Sequence, residues 1–199
     1  MVRVSRGALA FFMTAVLLAT TGCSVEAAQT GSTTPTTPAK NTATFVDYRK
    51  THPEYLTRNH EYGHLAYPVK PPVGGNHNPY WQNCQGDVYP AQIANEHAVH
   101  SLEHGAVWIT YRPDLPADQV ASLAAKVRDR PYLLMSPYPG LDRPISLQAW
   151  GYQLKVDSAS DPAIVDFIQR YRQVAAPEPG ATCGQGITDT GVDALLEEF

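Results

Sequence analysis

Seven histidines lie between His52 and His104, and none occurs elsewhere in the 199-residue chain. Three of them fall in the run Glu96-His97-Ala98-Val99-His100-Ser101-Leu102-Glu103-His104-Gly105. On a helix, residues three and four apart share a face, so positions 97, 100 and 104 project together. His100 and His104 can then turn a ring nitrogen toward one ion, and neutral imidazole is the commonest metal ligand among side chains. The competing reading is that each ring hydrogen-bonds a nearby carboxylate or carbonyl. Upstream, Pro71-Pro72-Val73-Gly74-Gly75-Asn76-His77 sets a histidine at the tip of a shaped loop. The two prolines stiffen the approach, and the two glycines permit a tight turn or a close backbone approach.

Together these residues predict one metal site built from His77, His100 and His104, with Met135 as a fourth ligand. A thioether is soft and would draw the site toward copper; without it, imidazoles suit zinc equally. Met135 also sits in an apolar run, where a methionine is ordinary core. His64 and His97 are reserve ligands, and Glu103 would orient a ligand from behind. His100-Ser101-Leu102-Glu103-His104 also spells His-x-x-Glu-His, the inverted zinc-peptidase order, in which Glu103 would be a general base. That motif belongs on a long helix, whereas Gly105 ends this one at once. Metal binding is therefore preferred to hydrolysis. A third reading is a structural or interaction protein of the cell envelope without metal, using Tyr80, Trp81 and Tyr138 as a partner surface.

The elements that must position these residues follow from periodicity and punctuation. A short helix is expected over 45–50, and the Pro- and Gly-rich stretch 67–90 reads as a long loop. Asn95 is placed to cap a helix over 96–103 that Gly105 ends. Ala106 to Tyr111 is apolar and β-branched, a strand. Pro116 opens a helix on which Val120, Leu123, Ala124 and Val127 recur at helical spacing. Tyr132 to Ser136 is a second strand, and 145–156 holds one or two more around Trp150 and Gly151. Asp161 and Pro162 start a last helix with Ile164, Val165, Ile168 and Tyr171 as its apolar face. This order predicts a single compact α+β or α/β domain, a small mixed sheet with packing helices and a long loop.

The N-terminus reads as an address. Arg3 and Arg6 precede an apolar run from Ala8 to Ala19, too short to span a bilayer, which needs about 20 residues, and typical of a secretory signal. It ends at Thr20-Thr21-Gly22-Cys23, which resembles a lipobox with Thr20 in place of the usual leucine. The expectation is a signal peptide over 1–22 and a lipidated Cys23 that anchors the chain outside the cytoplasmic membrane. The alternative is ordinary cleavage near Ala27-Ala28. Residues 23–44 are mostly Ser, Thr, Ala, Gln and Pro, with no aromatic and almost no aliphatic side chain, and read as a disordered tether. The globular domain is expected over 45–183 and a disordered acidic tail over 184–199. Loss of residues 1–22 removes Arg3 and Arg6 and no acid, moving the net charge from −4 to −6. With no basic cluster, nucleic acid is an unsuitable partner. Of three cysteines, Cys84 and Cys183 remain once Cys23 is lipidated. They are expected to form a disulfide, which persists outside the cytoplasm; free thiols or a thiolate ligand are the alternatives.

Three segments carry a resemblance: Pro71-Pro72-x-Gly74-Gly75-x-His77, His100-Ser101-Leu102-Glu103-His104-Gly105, and Leu134-Met135-Ser136-Pro137-Tyr138-Pro139. They resemble a bacterial family, domain of unknown function 3105, over about Phe45 to Cys183. The resemblance implies one domain, often exported or membrane-anchored, and implies no particular reaction. Val73-Gly74-Gly75 stands where Thr-Ser-Gly is expected, which touches the turn and leaves His77 in place.

Overall fold

The computed structural model describes residues 43–197. The signal peptide, Cys23 and nearly all of the tether expected from the sequence lie outside the described residues. Six strands form one mixed sheet: β1 (Thr44–Asp47), β2 (Gln85–Val88), β3 (Val107–Tyr111), β4 (Leu133–Pro137), β5 (Ile145–Ala149) and β6 (Tyr152–Val156). Their order is β1-β6-β5-β3-β4-β2. The pairs β2/β4 and β3/β4 are parallel, and β3/β5, β5/β6 and β1/β6 are antiparallel. Four helices complete the fold: α1 (Tyr48–Thr51), α2 (Asn95–Glu103), α3 (Ala117–Val127) and α4 (Pro162–Tyr171). This is a compact α+β architecture. No helix among the described residues is long and apolar enough to cross a membrane.

Alternation along the central strands sends side chains into two cores. Val107, Ile109, Leu133, Met135 and Leu147 pack with Leu123 and Val127 of α3 and with Ile164, Phe167 and Ile168 of α4. Trp108 and Leu134 pack with Ala98, Val99 and Leu102 of α2 and with Trp150. The central strands β3, β4 and β5 are buried on both faces; in β3 this reads as an apolar run, whereas β5 buries Ser146 and Gln148 between its apolar residues.

Local structure departs from expectation in four places. The segment expected as a helix over 45–50 begins as strand β1 and turns helical only at Tyr48, where the Asp47 carboxylate accepts from Arg49 N at 3.2 Å. β2 lies inside the stretch expected to be loop; parallel pairing with β4 holds it rather than any apolar pattern. Asn95 is the first residue of α2 rather than its cap; Ala94 stands at the cap without a side-chain bond. In α4, Val165 is exposed and Phe167 takes its expected place in the core.

The acidic tail is a fifth departure. Residues 184–197 lie against the domain: Leu196 is buried, and Ile187 pairs with Gln82 in an isolated parallel bridge. Leu196 O accepts from Gly63 N at 2.9 Å and from Asn78 Nδ2 at 2.8 Å. Cys183, joined to Cys84, fixes where this segment starts. Its order comes from backbone hydrogen bonding rather than from an apolar stripe.

Candidate functional site

The face of the sheet that carries α2 also carries the histidines. Gly105, at φ +97°, ends α2. Gly105 N donates to Leu102 O at 2.9 Å and Ala106 N to Ser101 O at 3.0 Å, the paired bonds of a glycine-closed helix terminus. A Cβ here would stand 2.9 Å from Ala176 Cβ, so glycine is required by space as well as by φ. The helix is fastened to the extended chain before it through alternate carbonyls. His100 Nδ1 meets Asn78 O at 2.8 Å, His97 Nδ1 meets Tyr80 O at 2.7 Å, and Ser101 Oγ donates to Gln82 O at 2.6 Å.

The glycine loop delivers His77. Gly74 sits where a Cβ would come 2.8 Å from Leu56 Cδ2 and 3.3 Å from the Trp150 ring, so the backbone can run beneath both only without a side chain. His77 then pairs with His60 across an isolated parallel bridge, with His77 N donating to Asn59 O at 3.0 Å and Glu61 N to His77 O at 2.8 Å. The rings of His60 and His77 are 4.9 Å apart, those of His77 and His100 4.8 Å, and those of His100 and His104 4.5 Å.

Three rings are held in one tautomer. His77 Nδ1 faces Gly75 O at 2.8 Å, His100 Nδ1 faces Asn78 O at 2.8 Å, and His104 Nδ1 faces Thr182 O at 2.7 Å. A carbonyl only accepts, so each Nδ1 carries a proton, and in the neutral ring Nε2 keeps its lone pair. That is the arrangement of a metal-ligating histidine oriented from behind by a carbonyl. Burial and the neighbouring His77 and His104 push the pKa of His100 down to about 3, so it stays neutral at physiological pH. Burial likewise lowers that of His104, against the opposing pull of its bond to Thr182 O and of Glu178.

The Nε2 of His77 stands 2.9 Å from Glu103 Oε2. Both groups are buried, at 0% and 2% exposure, and neither atom has a hydrogen-bond partner. The contact is short enough for a hydrogen bond but is not aligned as one. With the His77 proton on Nδ1, two lone-pair atoms face each other inside the protein, a costly arrangement unless a cation lies between them. Metal–ligand bonds of about 2.0–2.1 Å place two donors on one ion roughly 3 Å apart.

Among the described residues, two groups of side chains bring ligand atoms within 4.8 Å of one another: His60, His77, His100 and Glu103, and separately His100, His104 and Glu178. Either group could hold a metal ion. The single His77–His100–His104 site expected from the sequence is therefore divided, with His100 common to both groups. Met135 is not near either. It lies in the core on the opposite face of the sheet, because its place in β4 alternates with Leu134, which faces α2. His64 is exposed and pairs with Asp193 at 2.8 Å. His97 has both ring nitrogens occupied, by Tyr80 O and by Ala194 O at 2.8 Å. Neither reserve histidine joins a group. Glu103, expected behind a ligand or as a general base, stands among the ligand atoms themselves.

His60 and Glu178 carried no signal in the sequence. His60 is placed by one backbone bridge, and Glu178 by the bond from its own N to Glu103 O at 3.1 Å. The disulfide between Cys84 and Cys183 is present and sits one residue from the carbonyl that holds His104.

Residues 59–185 match the family model described as Protein of unknown function (DUF3105). The chain belongs to this family. The match begins later than the resemblance suggested, after β1 and α1, and it spans both candidate DUF3105 ligand groups and both bridged cysteines. No curated protein and no solved structure matches the chain.

Proposed function

We propose that this DUF3105 protein is an extracytoplasmic lipoprotein, anchored through Cys23, that binds a divalent first-row metal ion through His60, His77, His100 and Glu103. The observation that carries the reading is the buried, unbonded pair of His77 Nε2 and Glu103 Oε2 at 2.9 Å. Three imidazoles and a carboxylate form a donor set of borderline hardness, which suits zinc or copper(II) better than magnesium or calcium. With Met135 on the far side of the sheet, the argument for copper(I) lapses, and zinc is the first choice. Four protein ligands complete a tetrahedral shell, the pattern of a holding site rather than a catalytic one. Glu103, spent as a ligand, is not free to act as a base, which disfavours the peptidase reading. The Arg-led apolar segment before Cys23 and the Cys84–Cys183 bridge support a place outside the cytoplasm.

The test is elemental analysis of untagged protein purified from the envelope, together with palmitate labelling. About one zinc or copper per chain is expected, lost in His77→Ala and in Glu103→Gln while far-UV circular dichroism is unchanged. Labelling should disappear in Cys23→Ser. Metal retained in both site variants would refute the ligand set. A metal-free native protein that gains none on titration would leave an envelope protein acting through its surface.

A further inference from the structure

His100 belongs to two ligand groups but has one nitrogen to give. Its Nδ1 is committed to Asn78 O, so only Nε2 can bind a metal. On one side stand His77 and Glu103, buried, with His60 at the mouth. On the other stand His104 and Glu178, under Trp81, whose ring lies 5.0 Å from that of His104 and 5.7 Å from that of His100. The two sides differ in access. The Glu103 side chain is 2% exposed and that of Glu178 is 47% exposed. They also differ in number, with three ligands on the Glu178 side and four on the Glu103 side. His104 Nε2 already lies 3.7 Å from Glu178 Oε2, with its lone pair free.

The geometry points to a second, weaker metal site made of His100, His104 and Glu178, which serves as the entry position from which one ion passes to the four-ligand site without leaving His100. This rests on the metal-binding reading above. The ion arrives at the exposed Glu178 carboxylate and takes the His104 and His100 nitrogens. It then exchanges its bonds to His104 and Glu178 for bonds to His77, Glu103 and His60. His77, His100 and His104 each hold the ring proton on Nδ1 and turn Nε2 toward the ion, and the exchange changes no oxidation state. Because His100 cannot serve both positions at once, the two full sites exclude each other, and the chain holds one ion at a time in either.

Cobalt(II), whose visible bands report its ligands, tests this with the full chain freed of metal. Stopped-flow mixing should give an early spectrum that converts to a final one at one equivalent. Glu178→Gln, a change at a half-exposed side chain that leaves the fold intact, should slow loading by about tenfold through loss of the capturing charge. His104→Ala should abolish the early spectrum, and both variants should keep the final spectrum. His77→Ala should weaken binding by about a hundredfold and stop the reaction at the early spectrum. That remaining signal should vanish in the His77→Ala/Glu178→Gln double variant. A single phase at the same rate in the unmodified protein and in His104→Ala would overturn the entry site while leaving the four-ligand site standing. Two tight equivalents in the unmodified protein would overturn the exclusion. No cobalt bound by the unmodified protein would overturn the metal reading and this inference together.

Discussion

On one face of the sheet, α3 and α4 lay Leu123, Val127, Ile164 and Phe167 over Ile109, Met135 and Leu147. On the other, α2 lays Ala98, Val99 and Leu102 over Trp108 and Leu134, and is held as well by side chains bonded to carbonyls of irregular chain, at Asn78, Tyr80, Gln82 and Thr182. The first face is fastened by area removed from water, which is non-directional and tolerant of small shifts. The second adds to such packing a set of hydrogen bonds, which fix where a ring points as well as where it lies. A metal site needs the second kind of support. It is weaker against unfolding, because a typical hydrogen bond contributes only about 0.5–1.5 kcal/mol net. The bridge between Cys84 and Cys183 lies in the apolar cluster of this face, next to the Thr182 carbonyl that orients His104.

The largest expected effect breaks the polar face. Cys84 and Cys183 are separated by 99 residues. Closing a loop of that order stabilises by up to about 4–5 kcal/mol in the chain-entropy model. A Cys84→Ser/Cys183→Ser variant should lose most of that in urea denaturation and should also loosen Thr182, whose carbonyl orients His104. Hydrogen exchange should rise first in residues 182–197 and around α2, before the β3–β5 core. Uniform loss across both faces would show that the bridge supports the whole fold rather than this face.

The next effect sharpens the contrast from the other side. Met135 is fully buried among α3, β3 and β5. Met135→Ala should cost about 2–5 kcal/mol, as large-to-small core changes do, and should leave metal stoichiometry and affinity as they were. Lost metal with unchanged stability would return Met135 to the ligand set.

The same contrast governs what the sequence makes legible. Strands β3 to β6 and helices α3 and α4 are written in apolar runs and helical periods, because burial by area needs many apolar residues at regular spacing. β1 and β2 are four residues each and carry little apolar pattern; their partners, β6 and β4, determine them. The segment after Cys183 reads as a tail because its few apolar residues, such as Ile187, Leu195 and Leu196, form no sustained period, and nothing in its composition announces the bonds to Asn78 and His97. At the site, His77 and His100 are visible through the shaped loop and the helical spacing. The division between His77 and His104 is not, since residues four apart on a helix share a face without having to share an ion. His60 could be found only by knowing that residue 59 pairs with residue 77.

Acid should separate the faces more gently, through one proton. His100 carries an ordinary histidine pKa of 6.5 when unfolded and about 3 when folded, chiefly because burial penalises its charged form. Between those values the unfolded chain binds a proton that the folded chain refuses, so protons favour unfolding. The contribution is fully present above pH 6.5 and falls as pH is lowered toward 3, with a slope of up to about 1.4 kcal/mol per pH unit for a single site. Measured in chelator by urea denaturation between pH 7 and 4, the unmodified protein should show a steeper acid loss than His100→Gln by up to that slope. The apolar face contributes no such term, so Met135→Ala should shift the whole curve down without changing its steepness. Parallel curves for the unmodified protein and His100→Gln would mean that the folded site accepts the proton, and that His100 is not held as a neutral donor with its Nε2 ready for an ion.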